Sequence, residues 1–214
     1  LSDYDVILIV QDIHPFVIDH SWLNDFGEVL VSYWDPVHRA PVFGNDKCAN
    51  VMQYNDGLKI DFNLWPVELL QQIVAATILP AELDAGYRVL LDKDGLTDTM
   101  RAPTGRGYIP ASPTLETYQL LINDFLSDAP YVAKCLWRDE IMPAKWCLDY
   151  DMKHNYLRQM LEWRVEIDHD WSVPVGFLGK GLKKHLSPEI WIAVEQSYVG
   201  AGVDDNWKAL KQIM

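Results

Sequence analysis

Polar and apolar residues recur with two different periods along this chain, and the change of period divides it. In the first half the period is two. Leu58, Ile60, Phe62 and Leu64 fall on one side of an extended segment and Lys59, Asp61 and Asn63 on the other, the pattern of a strand with one buried face. The apolar run 6–10 reads as a buried strand, and 27–34 as a further one. Asp56-Gly57, between strands over 50–55 and 58–65, predicts a tight hairpin of the type I′ kind. A short helix is expected over 15–26, a second over 66–77 with Pro66 in its first turn, and a short strand over 87–91. The polar, glycine-rich stretch 92–111 reads as a linker or an active-site loop.

Past that stretch the spacing becomes helical. Ser112-Pro113 with Glu116 predicts a capped start, followed by Leu115, Leu120, Leu121 and Phe125. Pro130 is expected to open another helix through Val132, Leu136 and Trp137, with a kink at Pro143. Leu157, Met160, Leu161 and Val165 continue the pattern, and Ser187-Pro188-Glu189 begins a helix carrying Ile190, Ile192, Ala193 and Val194. The fold class that follows is α+β: a mixed β-sheet domain over 1–111, then an α-helical bundle domain over 112–214.

Composition narrows the partners. With 214 residues, 49% of them hydrophobic, the chain can bury a sizeable core. Its net charge of −13 argues against nucleic acid, whose phosphates require clustered Lys and Arg. An acidic field suits a cationic ligand, although an acidic protein with no such ligand has the same charge. Cys48, Cys135 and Cys147 show no CxxC spacing, which predicts reduced thiols and a cytoplasmic location. The apolar run 6–10 is far too short to span a bilayer, and no signal peptide is visible, so no membrane is expected. The chain starts without Met just before an Asp pair and ends in what reads as a helix still running. It is therefore expected to be N-terminally and C-terminally incomplete.

The candidate chemistry is carried by carboxylates. Asp3 and Asp5, two residues apart, project to the same face at the mouth of the first strand, and Asp61 sits on the polar face of another. Together they make an oxygen-rich cage suited to Mg²⁺ and a triphosphate. A lone Asp-x-Asp more often solvates or caps a strand end, but carboxylates beside an apolar strand core cost desolvation unless a cation or donor pairs with them. Lys180, Lys183 and Lys184, the one dense basic cluster, would share a helix face, either holding terminal phosphates or forming a solvated helix end. Asp139 and Glu140 beside Trp137 either bind an amine or hydroxyl or form surface ion pairs. The tryptophans are expected mostly in packing. The histidines lack zinc-site spacing, no GxSxG occurs, and Gly105-Arg106-Gly107 reads as a flexible turn rather than a phosphate loop.

Several segments fall in a telling order: Ser2-Asp3-Tyr4-Asp5-Val6, Trp22-Leu23-Asn24-Asp25-Phe26-Gly27-Glu28, Gly57-Leu58-Lys59-Ile60-Asp61-Phe62 and Val89-Leu90-Leu91-Asp92-Lys93-Asp94. Tyr131-Val132-Ala133-Lys134, 157–163, Gly179-Lys180 with Lys183-Lys184, and Ser197-Tyr198 follow. The series resembles the aminoglycoside 6-adenylyltransferases, the streptomycin-modifying branch of the nucleotidyltransferase superfamily, over nearly the whole chain.

The resemblance implies a nucleotidyltransferase sheet domain plus a helical domain, with ATP as co-substrate and a cationic aminoglycoside bound between them. It implies Mg²⁺ on Asp3 and Asp5, and Asp61 taking the proton of the substrate hydroxyl, sharing a metal, or both. Lys180 and Lys183 would then hold the nucleotide phosphates and Asp139 or Glu140 the substrate's guanidinium groups. The superfamily's Gly-Ser phosphate turn is expected upstream of the Asp pair, before the first residue here. Two other readings stay open: a catalytically inactive binding protein of the same fold, and a nucleotidyltransferase acting on a protein acceptor.

Overall fold

The sheet is organised around β5 (Lys59–Pro66), whose alternation is expressed as burial: Ile60, Phe62 and Leu64 are at most 7% exposed, whereas Lys59, Asp61 and Asn63 keep partial access to solvent. In this computed structural model, which describes residues 3–40 and 42–214, β1 (Tyr4–Val10) pairs with β5 in parallel and β4 (Asp46–Tyr54) pairs with its other edge antiparallel. Ser2, which opens the first motif, lies outside the described residues. β2 (Val29–Trp34) adds to β4, giving the order β1-β5-β4-β2, and the two-residue β3 (His38–Arg39) pairs with β4. β3 is too short to leave a sequence pattern. On the apolar face Val6 and Leu8 join Met52, Tyr54, Ile60 and Phe62. The 3₁₀ turn Ser21–Phe26 covers that face with Leu23 and Trp22, whose ring meets Phe62 edge-on at 5.1 Å. Helix α2 (Val67–Ala75) starts directly from β5 and packs against β1 and β5.

Five local expectations are corrected. The hairpin before β5 is a three-residue loop closed by Tyr54 N donating to Leu58 O at 2.8 Å. In it Gly57 has φ +87° while Asp56 does not have positive φ, so it is not a type I′ turn. The helix expected over 15–26 is broken: α1 spans His14–Ile18, then Asp19 turns extended and its Oδ1 accepts the Ser21 amide at 2.9 Å, which starts the separate 3₁₀ turn.

Residues 87–91 form no strand. Leu90 and Leu91 are 78% and 74% exposed, and the segment joins neither sheet edge. The following turn is instead tied by Asp92, whose carboxylate accepts from the amides of Leu96 and Thr97 at 3.1 and 2.8 Å and from the Thr97 hydroxyl at 2.6 Å. Finally, Pro130 opens no new helix. α4 runs unbroken over Leu115–Trp137, capped by Thr114, whose hydroxyl accepts the Thr117 amide. Pro130 is exposed, so the carbonyl that lost its donor can face water.

Contacts divide the chain into two compact units. One comprises the residues up to Pro80 with Tyr87–Ala102; the other comprises Ala81–Gly86 and Pro103–Met214. The short α3 (Ala81–Asp84) falls in the second because the Asp84 carboxylate accepts both the amide and the hydroxyl of Thr104, at 2.8 and 2.6 Å.

The helical unit continues after α4 through a break at Asp139, which has φ 58°. Pro143 produces no kink, since it sits in the first turn of α5 (Ile141–Lys145), where an amide would have no helical acceptor. The path then runs through a π segment, Trp146–Leu157, into α6 (Arg158–Asp168). Short α7 (Leu182–His185), α8 (Pro188–Ser197) and α9 (Val203–Ile213) complete it. The core joins Phe125, Val132 and Leu136 of α4 to Leu148 and Met152 of the π segment and Leu210 of α9. Among the described residues no helix is long and apolar enough to cross a membrane, and all three cysteines are free and buried.

Phe62→Ala should cost about 3–5 kcal/mol in a urea melt, because Phe62 is the ring on which β1, β5 and the 3₁₀ turn converge; a loss under about 1 kcal/mol would show that this face is not the core. The hydrogen bonds from Thr97 pull the Asp92 carboxyl down to about 2. A depressed carboxyl stabilises the turn above its ordinary value and loses that contribution as pH falls through about 2. The Asp92 ¹³C signal should therefore titrate near 2; a midpoint near the ordinary carboxyl value would mean the turn is open in solution.

Candidate active site

Parallel pairing places Asp5 of β1 directly opposite Asp61 of β5, and Val6 opposite Phe62. Since Val6 packs on the apolar face with Phe62, Asp5 and Asp61 project from the other face, as the alternation of each strand requires. Asp3, two residues before Asp5, reaches the same place: its Oδ2 lies 2.6 Å from Lys59 Nζ. Lys59 also donates to Asp61 Oδ2 at 2.9 Å, so a single ammonium bridges a carboxylate at the start of β1 and one inside β5. The hydrogen bonds it donates to Asp3 and then to Asp61 push the Lys59 pKa up to about 12.

The bridge joins two of the three carboxylates, and Asp61 Oδ1 is buried with no hydrogen-bond partner among the described residues. A buried acceptor without a donor costs about 1–3 kcal/mol. All the anionic ligand atoms are oxygen, which suits a hard divalent ion such as Mg²⁺ rather than zinc. In donor chemistry the residues present therefore fit such an ion, although Asp3, Asp5 and Asp61 do not bring one oxygen each within 4.8 Å of one another.

The other candidate residues lie in the helical unit. Lys183 is engaged, donating to Glu195 Oε1 at 3.0 Å and lying 5.4 Å from the Trp191 ring centroid. Lys180 is exposed and precedes α7 at the end of a 3₁₀ turn, so it does not share a helix with Lys183 and Lys184. Asp139 and Glu140 are exposed in the break between α4 and α5. Trp137 and Trp146, which flank them in sequence, are 85% and 62% exposed rather than packed in a core.

Two features escaped the sequence reading. Lys59 was visible on the Asp61 face of β5, but its reach to Asp3 depends on strand pairing 56 residues away in sequence. In the helical unit Asp128, Cys147 and Asp151 bring one ligand atom each within 4.8 Å of one another. Burial raises the Asp128 carboxyl and, with Asp128 and Asp151 nearby, pushes the Cys147 thiol up to about 12. A thiol held protonated is a poor metal ligand.

A model of the family described as streptomycin adenylyltransferase matches residues 1–214. The chain belongs to this family. Among its relatives is an aminoglycoside 6-adenylyltransferase of Bacillus subtilis (strain 168), 28% identical over 210 residues, which are 98% of this chain and 72% of that protein. Another, from Campylobacter jejuni, is 26% identical over 215 residues, covering 100% of this chain and 71% of the relative. A third, from Staphylococcus aureus, is 28% identical over 191 residues, 87% of this chain and 64% of the relative. A crystal structure of an aminoglycoside 6-adenyltransferase from Bacillus subtilis aligns with a TM-score of 0.43 and 24% identity, over 99% of this chain and 75% of that one. The streptomycin adenylyltransferase family is thus the frame for the site, and it is a family of enzymes, the aminoglycoside nucleotidyltransferases.

A carboxylate kept for ligand chemistry is expendable to the fold. Asp61→Asn should change unfolding free energy in EDTA by less than about 1 kcal/mol, because it removes an unbalanced charge along with its bond to Lys59. A much larger loss in a denaturant melt would make Asp61 a structural residue.

Proposed function

We propose that this chain transfers AMP from ATP to a hydroxyl of a streptomycin-type aminoglycoside and releases pyrophosphate, an activity that confers resistance inside the cytoplasm. The observation that carries the reading is the placement of Asp5 and Asp61 opposite one another on β1 and β5, with Asp3 tied to Asp61 through Lys59 and a buried Asp61 oxygen that has no donor among the described residues. Family membership and the names of the relatives supply the reaction class and the aminoglycoside.

In this reading Asp3, Asp5 and Asp61 hold Mg²⁺, which when bound offsets charge on the nucleotide phosphates. Asp61 also accepts the proton of the attacking hydroxyl, a role worth on the order of 10²- to 10⁴-fold in rate. Its place inside β5, between two hydrogen-bonded neighbour strands, fixes its carboxylate more firmly than a loop would. Lys180 is exposed and has no ion-pair partner among the described residues, so it is available to the β- and γ-phosphates; Lys183 would have to leave Glu195 to join it. Asp139 and Glu140 pair with guanidinium groups of the substrate, with the exposed Trp137 and Trp146 offering ring faces for the same cations. The net charge of −13 favours such a substrate.

The test is pyrophosphate release by the intact protein with MgATP, with and without streptomycin. Release should depend on streptomycin and fall by at least about 10²-fold in Asp61→Asn. MgATP binding without release, across a panel of aminoglycosides, would overturn the acceptor and leave a nucleotide-binding protein or one that modifies another protein.

A further inference from the structure

Lys59 is the member of the carboxylate site that the reaction does not explain. Its stem rises from β5 two residues before Asp61, and its ammonium ends between Asp61 and Asp3, 2.9 and 2.6 Å from their oxygens. An ordinary surface ion pair joins one lysine to one carboxylate and contributes little. Here one ammonium joins two strands across two of the three carboxylates read as ligands of a divalent ion. Asp5 and Asp61, opposite one another on adjacent strands, repel, and the ammonium on Asp61 offsets part of that repulsion. With it, Asp61 Oδ2 already carries a cation, and a divalent ion drawn to that oxygen meets a positive charge at hydrogen-bond distance.

We propose that Lys59 is the resident counter-cation of this site. It holds Asp3 and Asp61 together when no divalent ion is bound and must let go of Asp61 when one arrives, so it weakens the binding of free metal. The four-carbon stem permits the swing, because it is flexible and one third exposed. The released ammonium then needs another anion, and the polyphosphate of the nucleotide is one. Metal and nucleotide are thereby coupled: the site favours metal that arrives with phosphate over free metal. The inference rests on the reading of Asp3, Asp5 and Asp61 as metal ligands.

The experiment is titration of the intact, nucleotide-free protein with Mn²⁺, with free ion read by electron paramagnetic resonance. Lys59→Met keeps the apolar stem and removes the charge, and should bind Mn²⁺ about tenfold more tightly than wild type, the value of one charge-assisted hydrogen bond. Lys59→Arg keeps the charge and should stay close to wild type. Equal or weaker binding in a folded Lys59→Met would overturn the proposal and leave Lys59 a structural bridge. A readout on the unmodified protein covers the case in which Lys59→Met fails to fold: the ¹⁵N resonance of Lys59 Nζ should shift as Mg²⁺ is added, and an unmoved resonance at saturating Mg²⁺ is equally fatal. Wild-type protein that binds no Mn²⁺, or binds it unchanged in Asp61→Asn, would instead remove the metal reading itself.

Discussion

The parallel register of β1 on β5 is the constraint on which the site depends. It sets Asp5 opposite Asp61 and brings Asp3 within reach of Lys59, and a slip of one residue would send Asp5 to the apolar face. What fixes the register lies on the other side of the sheet, where Val6 and Leu8 interlock with Ile60, Phe62 and the ring of Trp22. Among the described residues β1 pairs with a single strand, so no second ladder there corrects an error. The polar face is therefore positioned by the apolar one.

That arrangement gathers like charges where a fold would not place them for stability. Lys59 relieves part of the repulsion, yet Asp61 retains an oxygen that is buried and has no donor. Sites that break the local rules of polar satisfaction are where function is expected, and this is such a place within the sheet unit. The family match spans residues 1–214 and gives the class of enzyme; the carboxylate geometry alone singles out these residues.

At Lys153 the helical unit handles a buried charge differently. Lys153 in the π segment is 1% exposed, and its ammonium donates to Asp149 Oδ1 at 2.7 Å and to the Ser197 carbonyl, with the Tyr198 ring centroid 4.7 Å away. Lys145 approaches the other Asp149 oxygen at 2.6 Å and donates to Val199 O. Burial lowers the Lys153 pKa, and the Asp149 bond opposes that. Here every anion and carbonyl end has a donor, and the result ties the end of α8 to the π segment.

The sequence by itself determined the mixed sheet followed by helices, the strand that carries Asp61, a helix beginning next to Pro66 and another at Pro188, and the family. These were legible because burial on one face imposes a period of two or 3.6, and because an ordered series of motifs is specific where one motif is not. It pointed wrongly to a strand over 87–91, a break at Pro130 and a type I′ turn, since apolar runs, prolines and Asp-Gly pairs act through neighbours that a linear pattern lacks. The pairing of Lys59 with Asp3 was equally out of reach. Alternation assigns a side chain to a face, but only the register of β1 against β5 decides which charges from distant parts of the chain meet on that face.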